Sequence, residues 1–424
     1  LRHTPFAFPE PEPGVALSTP TAGRTVHVQA FDGYDFNDPR LALFLRSGAE
    51  TASGAVVSVH AAMRNPAVYR AVTLISFAIG MLPCHLMKDG PNGAEKASDH
   101  PLFRVLHREP NNWQSAFDFR SLLQLRALVH GNGYAQVVRS RGNVLALNPL
   151  DSEKVTPFQR PDLSVAYKYR RPDGVEITLE PSEVFHLRGA TLDGINGLSM
   201  VRQAAEAIGL GLQAQRATAR VYKNGSFNSA PLSTEKGLSD TAYNRLKEDW
   251  QDRYGGADNA GKTPILEEGL KPVNVGQSAR DAQFIETQRH QIEEIARASG
   301  VPRPLLMMDE TTWGTGIEAL GLFFVTYALQ PWFTAWEQAI ERTLLTGREK
   351  DTHSAKFNAG ALLRGSLKDQ GEFFAKALGS GGHDPWMTQD EVRKLADQPT
   401  RGGAADELSK GAMSAKGGPD AEPA

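Results

Sequence analysis

The chain has 424 residues, enough for two or three compact units, and 40% of them are hydrophobic, which supports a core. A formal net charge of −3 is not the basic balance of a protein that grips nucleic acid through its phosphates. The best candidate for a membrane span, AVTLISFAIGMLP, is too short and stops at Pro83.

The first residues, LRHTPFAFPEPEPG, set prolines and acids where a signal peptide needs an apolar centre. Leu1 is not an initiator methionine, so the true N-terminus is left open. Residues 1–58 are rich in Pro, Gly, Ser, Thr and Ala with little periodicity and read as a mostly disordered arm, in which DPRLALFLRSG is a candidate short helix. Order is expected to begin at Asn65-Pro66, a cap followed by proline at the first helical position. Val68, Val72, Ile75 and Ile79, with Leu74 and Met81, predict a deeply buried helix ending before Pro83. A strand over residues 84–88 follows. The one cysteine of the chain, Cys84, sits there among apolar neighbours and reads as a buried, inert thiol suited to a reducing cytoplasm. PLFRVLHREPN predicts a short helix closed by Pro110. SAFDFRSLLQLRALVHGNG predicts a longer one, capped by Ser115, stopped by GNG, with Phe119, Leu122, Leu123, Arg126 and Val129 facing inward. From Tyr134 to Leu187 six β-runs alternate with turn pairs such as Arg141-Gly142 and Asp173-Gly174, which predicts an antiparallel sheet beside helices and an α+β class.

LSMVRQAAEAIGLGLQAQRATARVYKNGS predicts one long helix with Ser199 as cap and Leu198 as staple, ending at Asn224-Gly225. A short strand near Pro231, a helix over 239–254 and strands after Pro264 come next. Residues 278–299 predict a charged helix whose apolar side is Ile285, Ile292, Ile295 and Ala296. Glu286, Arg289, Glu293 and Arg297 form a ladder at helical spacing, either a solvated face or a set of pairs between subunits. A helix over about 317–346 contains Pro331, which removes one helical hydrogen bond and clashes with the carbonyl of Tyr327, so a kink is expected. Helices over 361–378 and 388–396 precede a disordered tail from Arg401.

Residues 256–263, GADNAGKT, match the phosphate-loop pattern, with Gly256, Gly261, Lys262 and Thr263 in the defining places. A working phosphate loop follows a strand and opens a helix, so that backbone N–H groups and the helix dipole meet the phosphates. Here a helix with Tyr243, Leu246, Trp250 and Tyr254 on one stripe comes first and Pro264 with a β-like run comes after, so the match reads as false and no cofactor is expected. The eleven histidines are scattered without metal-ligand spacing, no carboxylate pair stands out for acid–base chemistry, and GNGYAQ and GINGLS lack the dinucleotide spacing. Arg64, Arg70 and Lys88 are isolated basic residues, and no basic stripe with interleaved aromatics is present.

WQDRYGGADNAGKTPILEEGLKPVNV and DAQFIETQRHQIEEIARASGVPRPLL resemble the portal proteins of tailed phages, of the siphophage type, which gene transfer agents also carry. NPAVYRAVTLISFAIGMLPCHL, DHPLFRVLHREPNNWQSAFDFR, HGNGYAQVVRSRGNVLALNPLDSEKV, VFHLRGATLDGINGLSMVR and FFVTYALQPWFTAWEQAIERTLL agree in the same order, over roughly residues 60–400. The resemblance implies a portal fold with wing, stem, clip and crown, twelve subunits ringing a channel for double-stranded DNA, and no catalysis. It implies an arm at 1–58, a wing at 59–200, a long helix toward stem and clip at 201–225, a clip at 226–276 and a stem helix at 277–300. A tunnel loop and kinked tunnel helix follow at 301–350, crown helices at 351–400 and a tail at 401–424.

The same resemblance implies that Thr311, Thr312, Trp313, Gly314, Thr315, Gly316 and Glu318 form the channel loop, where family members often carry a Ser-Asn-Ile-Glu-like run. Trp313 either meets the duplex or packs under the loop, and the glycines should make the loop more mobile. Implied partners are further copies of the chain, the major capsid protein, the terminase large subunit and the head–tail connector proteins, in a particle assembled in the bacterial cytoplasm. A neutral or acidic lining would let DNA slide. Two rivals stay open: an NTPase using Lys262, and a monomeric or dimeric DNA-binding module with salt-sensitive affinity. Phage and gene transfer agent are not separated.

Overall fold

The computed structural model describes residues 49–90, 93–224, 232–233, 240–241, 243–244, 271–272, 277–307, 315–358, 367–380, 384–395 and 398–408. A small hairpin, β1 (Ala49–Glu50) and β2 (Val56–Val57), leads into α1 (Val59–Met63) and α2 (Pro66–Met81). Then come β3 (Cys84–Gly90), β4 (Gly93–Lys96), α3 (Pro101–His107) and α4 (Ala116–His130). Six strands follow: β5 (Asn132–Ser140), β6 (Asn143–Leu150), β7 (Val155–Gln159), β8 (Val165–Arg170), β9 (Glu176–Leu179) and β10 (Val184–Arg188). After them lie α5 (Met200–Gln203), α6 (Ala205–Asn224), the paired dipeptides β11 (Leu232–Ser233) and β12 (Lys271–Pro272), and α7 (Gln277–Ser299). The chain continues as α8 (Thr315–Phe323), a π-helical turn (Phe324–Leu329), α9 (Gln330–Leu344), β13 (His353–Phe357), α10 (Leu367–Ala377) and α11 (Gln389–Leu395).

Most helix ends lie where capping chemistry predicts them. The Asn65 side chain accepts from the N–H groups of Ala67 and Val68 with Pro66 at the first position. Ser115 and Asp118 form a reciprocal capping box, and Gly131 closes α4 in the left-handed conformation. Order begins earlier than Asn65: Thr51, Ala55 and Val57 are buried, and the Glu206 carboxylate accepts the Ala52 N–H at 3.2 and 3.1 Å. These are long-range contacts, which local composition does not register. The predicted long helix is broken at Ala204, φ −95° and ψ 12°, into α5 and α6. The tail begins with structure: Asp390 is buried and its carboxylate accepts from the N–H groups of Arg401 and Gly402 at 2.8 and 2.6 Å.

The strands expected in one sheet form two, each three-stranded and antiparallel, ordered β10-β5-β6 and β7-β8-β9. The division falls at a short 3₁₀ turn, residues 152–154, started by Asp151 and held where Ser152 Oγ donates to the Asn132 carbonyl at 2.8 Å. A third sheet, β13-β3-β4, is closed by a strand from the stretch read as helices, residues 351–400. Only Ala355 and Phe357 alternate inward there, too short a period to register in a sequence.

One large core joins α2, α4, the inner faces of two sheets and α9, with Trp336, Phe185 and Phe333 at its centre. A smaller one, Tyr134, Leu150, Val155, Tyr167, Leu179 and Val184, lies under β7–β9. On α4, Phe119, Leu123 and Val129 are buried as expected, but Leu122 and Arg126 are half-buried while Arg120, Ser121 and Gln124 are inside. Likewise α2 buries Val68, Val72, Ile75 and Ile79 yet leaves Met81 and Phe77 exposed. Helix α9 bridges two sheets. Glu337 accepts from the Phe357 N–H and Glu341 from the Ala355 N–H on the outer edge of β13, while Arg342 donates to the His186 carbonyl on β10.

Candidate functional site

The segment from α8 to α9 is one continuous rod with a π-helical turn at its middle. The reason lies one residue beyond that turn. Pro331 has no N–H and would clash with the carbonyl four residues back in a regular helix. The π turn absorbs the mismatch: the Gln330 N–H donates to the Val325 carbonyl, five residues back. Pro331 then falls in the first turn of α9, where a missing donor costs nothing. The kink expected at Pro331 is therefore a widened turn ahead of it.

One side of this rod is packed, with Phe324, Val325, Ala328 and Leu329 buried. The other side is apolar and open. Leu322, Phe323 and Tyr327 are 54%, 49% and 67% exposed, and the Phe323 and Tyr327 rings lie 4.7 Å apart. Contiguous exposed rings on an otherwise well-packed chain mark a surface that another body covers.

Of the expected channel loop, Thr311, Thr312, Trp313 and Gly314 lie outside the described residues. Thr315, Gly316 and Glu318 belong to the first turn of α8, so the helix begins before the boundary expected at residue 317. Gly256, Gly261, Lys262 and Thr263 also lie outside the described residues, as does most of the helix expected over 239–254. Among the described residues no cluster of three or more metal-ligating side chains occurs, and no helix is long and apolar enough to cross a membrane.

The charged ladder sits on α7. Glu286, Arg289 and Arg297 are exposed and Glu293 is half-buried, with Ile292, Ile295 and Ala296 turned to the core side. Arg297 pairs with Glu293 at 3.7 Å and with Glu294, and Arg303 reaches Glu293 at 3.0 Å. Within one copy, Glu293 and Arg297 of the ladder thus pair along their own helix and to the turn that follows.

Two buried polar groups escaped the sequence reading. The Arg120 guanidinium donates to the carbonyls of Leu106 (2.9 Å) and Gly80 (2.8 Å), in the last turns of α3 and α2. It answers two helix C-termini at once, where carbonyl dipoles favour a cation. Burial still lowers its pKa, and its charge partly offsets the burial that pushes the Cys84 thiol up to about 12. That thiol is buried, as expected.

His186 is enclosed. Its Nε2–H donates to Asn132 Oδ1 at 2.9 Å, Tyr167 O–H lies 3.2 Å from Nδ1, and the tilted Tyr134 ring lies 4.5 Å away, centre to centre. Asn132 Oδ1 also accepts the Gly197 N–H at 2.9 Å, which ties the 190–197 loop to the sheet. Burial, then Arg188 and Arg342, hold the His186 pKa well below its ordinary 6.5, and burial lowers His130 and His107 in the same direction. Such groups stay neutral in the fold but take up protons in the unfolded chain. Their contribution is complete above 6.5 and is lost as pH falls through that value. The melting temperature is expected to fall between about pH 7.5 and pH 5.5, and His186→Asn should flatten that slope. A melting temperature constant across the window would contradict this account.

Residues 66–397 match the phage portal protein family. The chain belongs to that family. It is 32% identical to the portal protein of Enterobacteria phage HK97 over 339 residues, 78% of each chain. It is 30% identical to the probable portal protein of Streptomyces phage phiC31 over 386 residues, 88% of this chain and 83% of the relative. The fold is that of solved portal chains. A subunit from the neck of an empty gene transfer agent particle, computed with C6 symmetry, superposes with a TM-score of 0.57 at 23% identity, over 87% of this chain and all of the other. A crystal structure of an HK97-family phage portal protein from Corynebacterium diphtheriae gives 0.53 at 20% identity, over 74% of this chain and 99% of that one.

Proposed function

We propose that the protein assembles into a twelve-subunit ring at one vertex of a phage or gene-transfer-agent capsid and passes double-stranded DNA during packaging and ejection. It nucleates head assembly beside the major capsid protein, docks the terminase large subunit, and afterwards holds the connector proteins. It performs no catalysis, the energy for DNA movement coming from the terminase ATPase. Assembly takes place in the bacterial cytoplasm and the ring remains in the virion. The observation that carries the reading is the family match across residues 66–397. The open apolar side of the α8–α9 rod supports it, since a ring supplies a neighbour to cover Leu322, Phe323 and Tyr327. The solved gene-transfer-agent neck computed with C12 symmetry lends the subunit number.

Negative-stain electron microscopy of the purified chain, with particle mass measured on the same sample, tests the proposal. Rings with a central hole wide enough for duplex DNA are expected. A compact closed dimer without a channel would overturn it, and nucleotide binding lost on Lys262→Ala would favour the enzymatic rival.

A further inference from the structure

Six cations that lie far apart in sequence meet around the last turn of α9. Arg139 and Arg141 come from the tip of the β5–β6 hairpin, Arg188 from the end of β10, Arg342 from α9, and Arg348 and Lys350 from the turn after it. Four of them, Arg139, Arg188, Arg342 and Lys350, are tethered to main-chain oxygens. Arg139 Nη2 donates to the Thr343 carbonyl at 2.6 Å and Nη1 to the Gly142 carbonyl at 3.2 Å. Lys350 Nζ donates to the Arg342 carbonyl at 3.1 Å, Arg342 to the His186 carbonyl at 2.9 Å, and Arg188 to the Gly194 carbonyl. Arg188 is close enough to lower the pKa of Arg342. Arg141, Arg342, Arg348 and Lys350 are exposed.

The nearby carboxylates offset only part of this charge, and Glu349 and Glu341 are engaged elsewhere. Glu349 is committed to His100 at 3.0 Å and to the N–H and hydroxyl of Thr346 at 2.8 Å. Glu341 accepts the Ala355 N–H, and Asp351 stands exposed beside the turn. None of the six cations has a carboxylate within ion-pair distance among the described residues. Six cations against the three carboxylates of Glu341, Glu349 and Asp351 leave a net positive charge on this face, in a chain whose net charge is −3. Carbonyl tethers orient the guanidinium forks and leave other N–H donors turned to solvent, which suits the oxygens of a polyanion.

We propose that this face is a second DNA-contacting surface, which touches phosphates of double-stranded DNA without reading sequence and lies apart from the channel loop. Arg342 is eleven residues beyond Pro331, about 16 Å further along the helix axis. The proposal deepens the portal reading and rests on it for the polyanion, double-stranded DNA rather than an acidic protein face.

The test measures binding of the full chain to a labelled random-sequence duplex across a salt series. Arg141→Gln with Arg348→Gln is the informative variant, because neither side chain takes part in the tethers described above. Weaker binding is expected, with a salt slope shallower by about 0.9 for each phosphate contact removed. Arg216→Gln with Arg220→Gln, exposed on α6, makes the same charge change and should leave the slope as it was. An unchanged slope in the first variant, or an equal change in both, overturns the proposal. So does a change of particle mass with DNA binding intact, which would assign the face to an acidic surface of a second copy. Microscopy on the same samples separates the two readings. Rings with an unaltered slope sink the surface alone, whereas an altered slope without rings sinks the portal.

Discussion

Gly131→Ala is expected to leave little folded protein, and Gly197→Ala to do the same. Gly131 ends α4 at φ 86°, a conformation a Cβ disfavours. The second reason is stronger. The backbones of Gly131 and Gly197 lie against each other, so a Cβ on either would overlap the carbonyl oxygen of the other. Backbone cannot step aside as a flexible side chain does. The Gly189 N–H donates to the Gly131 carbonyl and the Gly197 N–H to Asn132, so any shift also breaks the fastening of the 190–197 loop. Strain at a positive φ and lost hydrogen bonds together should cost more than about 4 kcal/mol, in the range where soluble yield collapses. Gly142→Ala is the control. That glycine also has φ 86°, but a Cβ there meets open space, so its cost should be about 1 kcal/mol. Equal thermal melts for Gly131→Ala and Gly142→Ala would show that the close approach is not what matters.

Arg120→Met should be the second most damaging change. Methionine fills much of the same volume, so the loss is chiefly polar. The carbonyls of Gly80 and Leu106 would be left buried without their donor. Each orphaned group costs about 1–3 kcal/mol, and the helix C-termini lose their counter-charge as well, so a total of about 3–5 kcal/mol is expected by denaturant unfolding. Arg120→Lys keeps the charge but not the fork, and should fall between methionine and wild type. A methionine variant as stable as the wild type would mean that water reaches both carbonyls.

Much of this architecture was legible in the sequence because it is locally encoded. Asn65-Pro66, Ser115 with Asp118, and the glycines of GNG announce helix ends through chemistry confined to a few neighbouring residues. Arg141-Gly142 announces the β5–β6 hairpin in the same way, both residues having positive φ. What stayed hidden depends on contacts across hundreds of residues. β13 finds β3 from 269 positions away, as the Ala355–Leu86 pair shows. Arg120 looks like a solvated helix residue until two other helices end against it. The basic face is assembled from positions 139 to 350, so no window along the chain contains it. Pro331 was visible, but a proline signals only that a regular helix must yield. Whether it bends or widens is decided by packing on the α2 side, where Phe324 and Val325 are held.

The side chains that α9 sends to two sheets also bear on life before assembly. An uncovered strand edge is a template for further strands. Here Glu337 and Glu341 occupy the open N–H groups of β13, Arg342 occupies a carbonyl of β10, and Asn111 donates to the Leu147 carbonyl on the far edge of β6. On these three edges, side chains take the places that a further strand would need. Joining through side chains can be undone and corrected, whereas fused sheets would leave the proposed ring competing with aggregates.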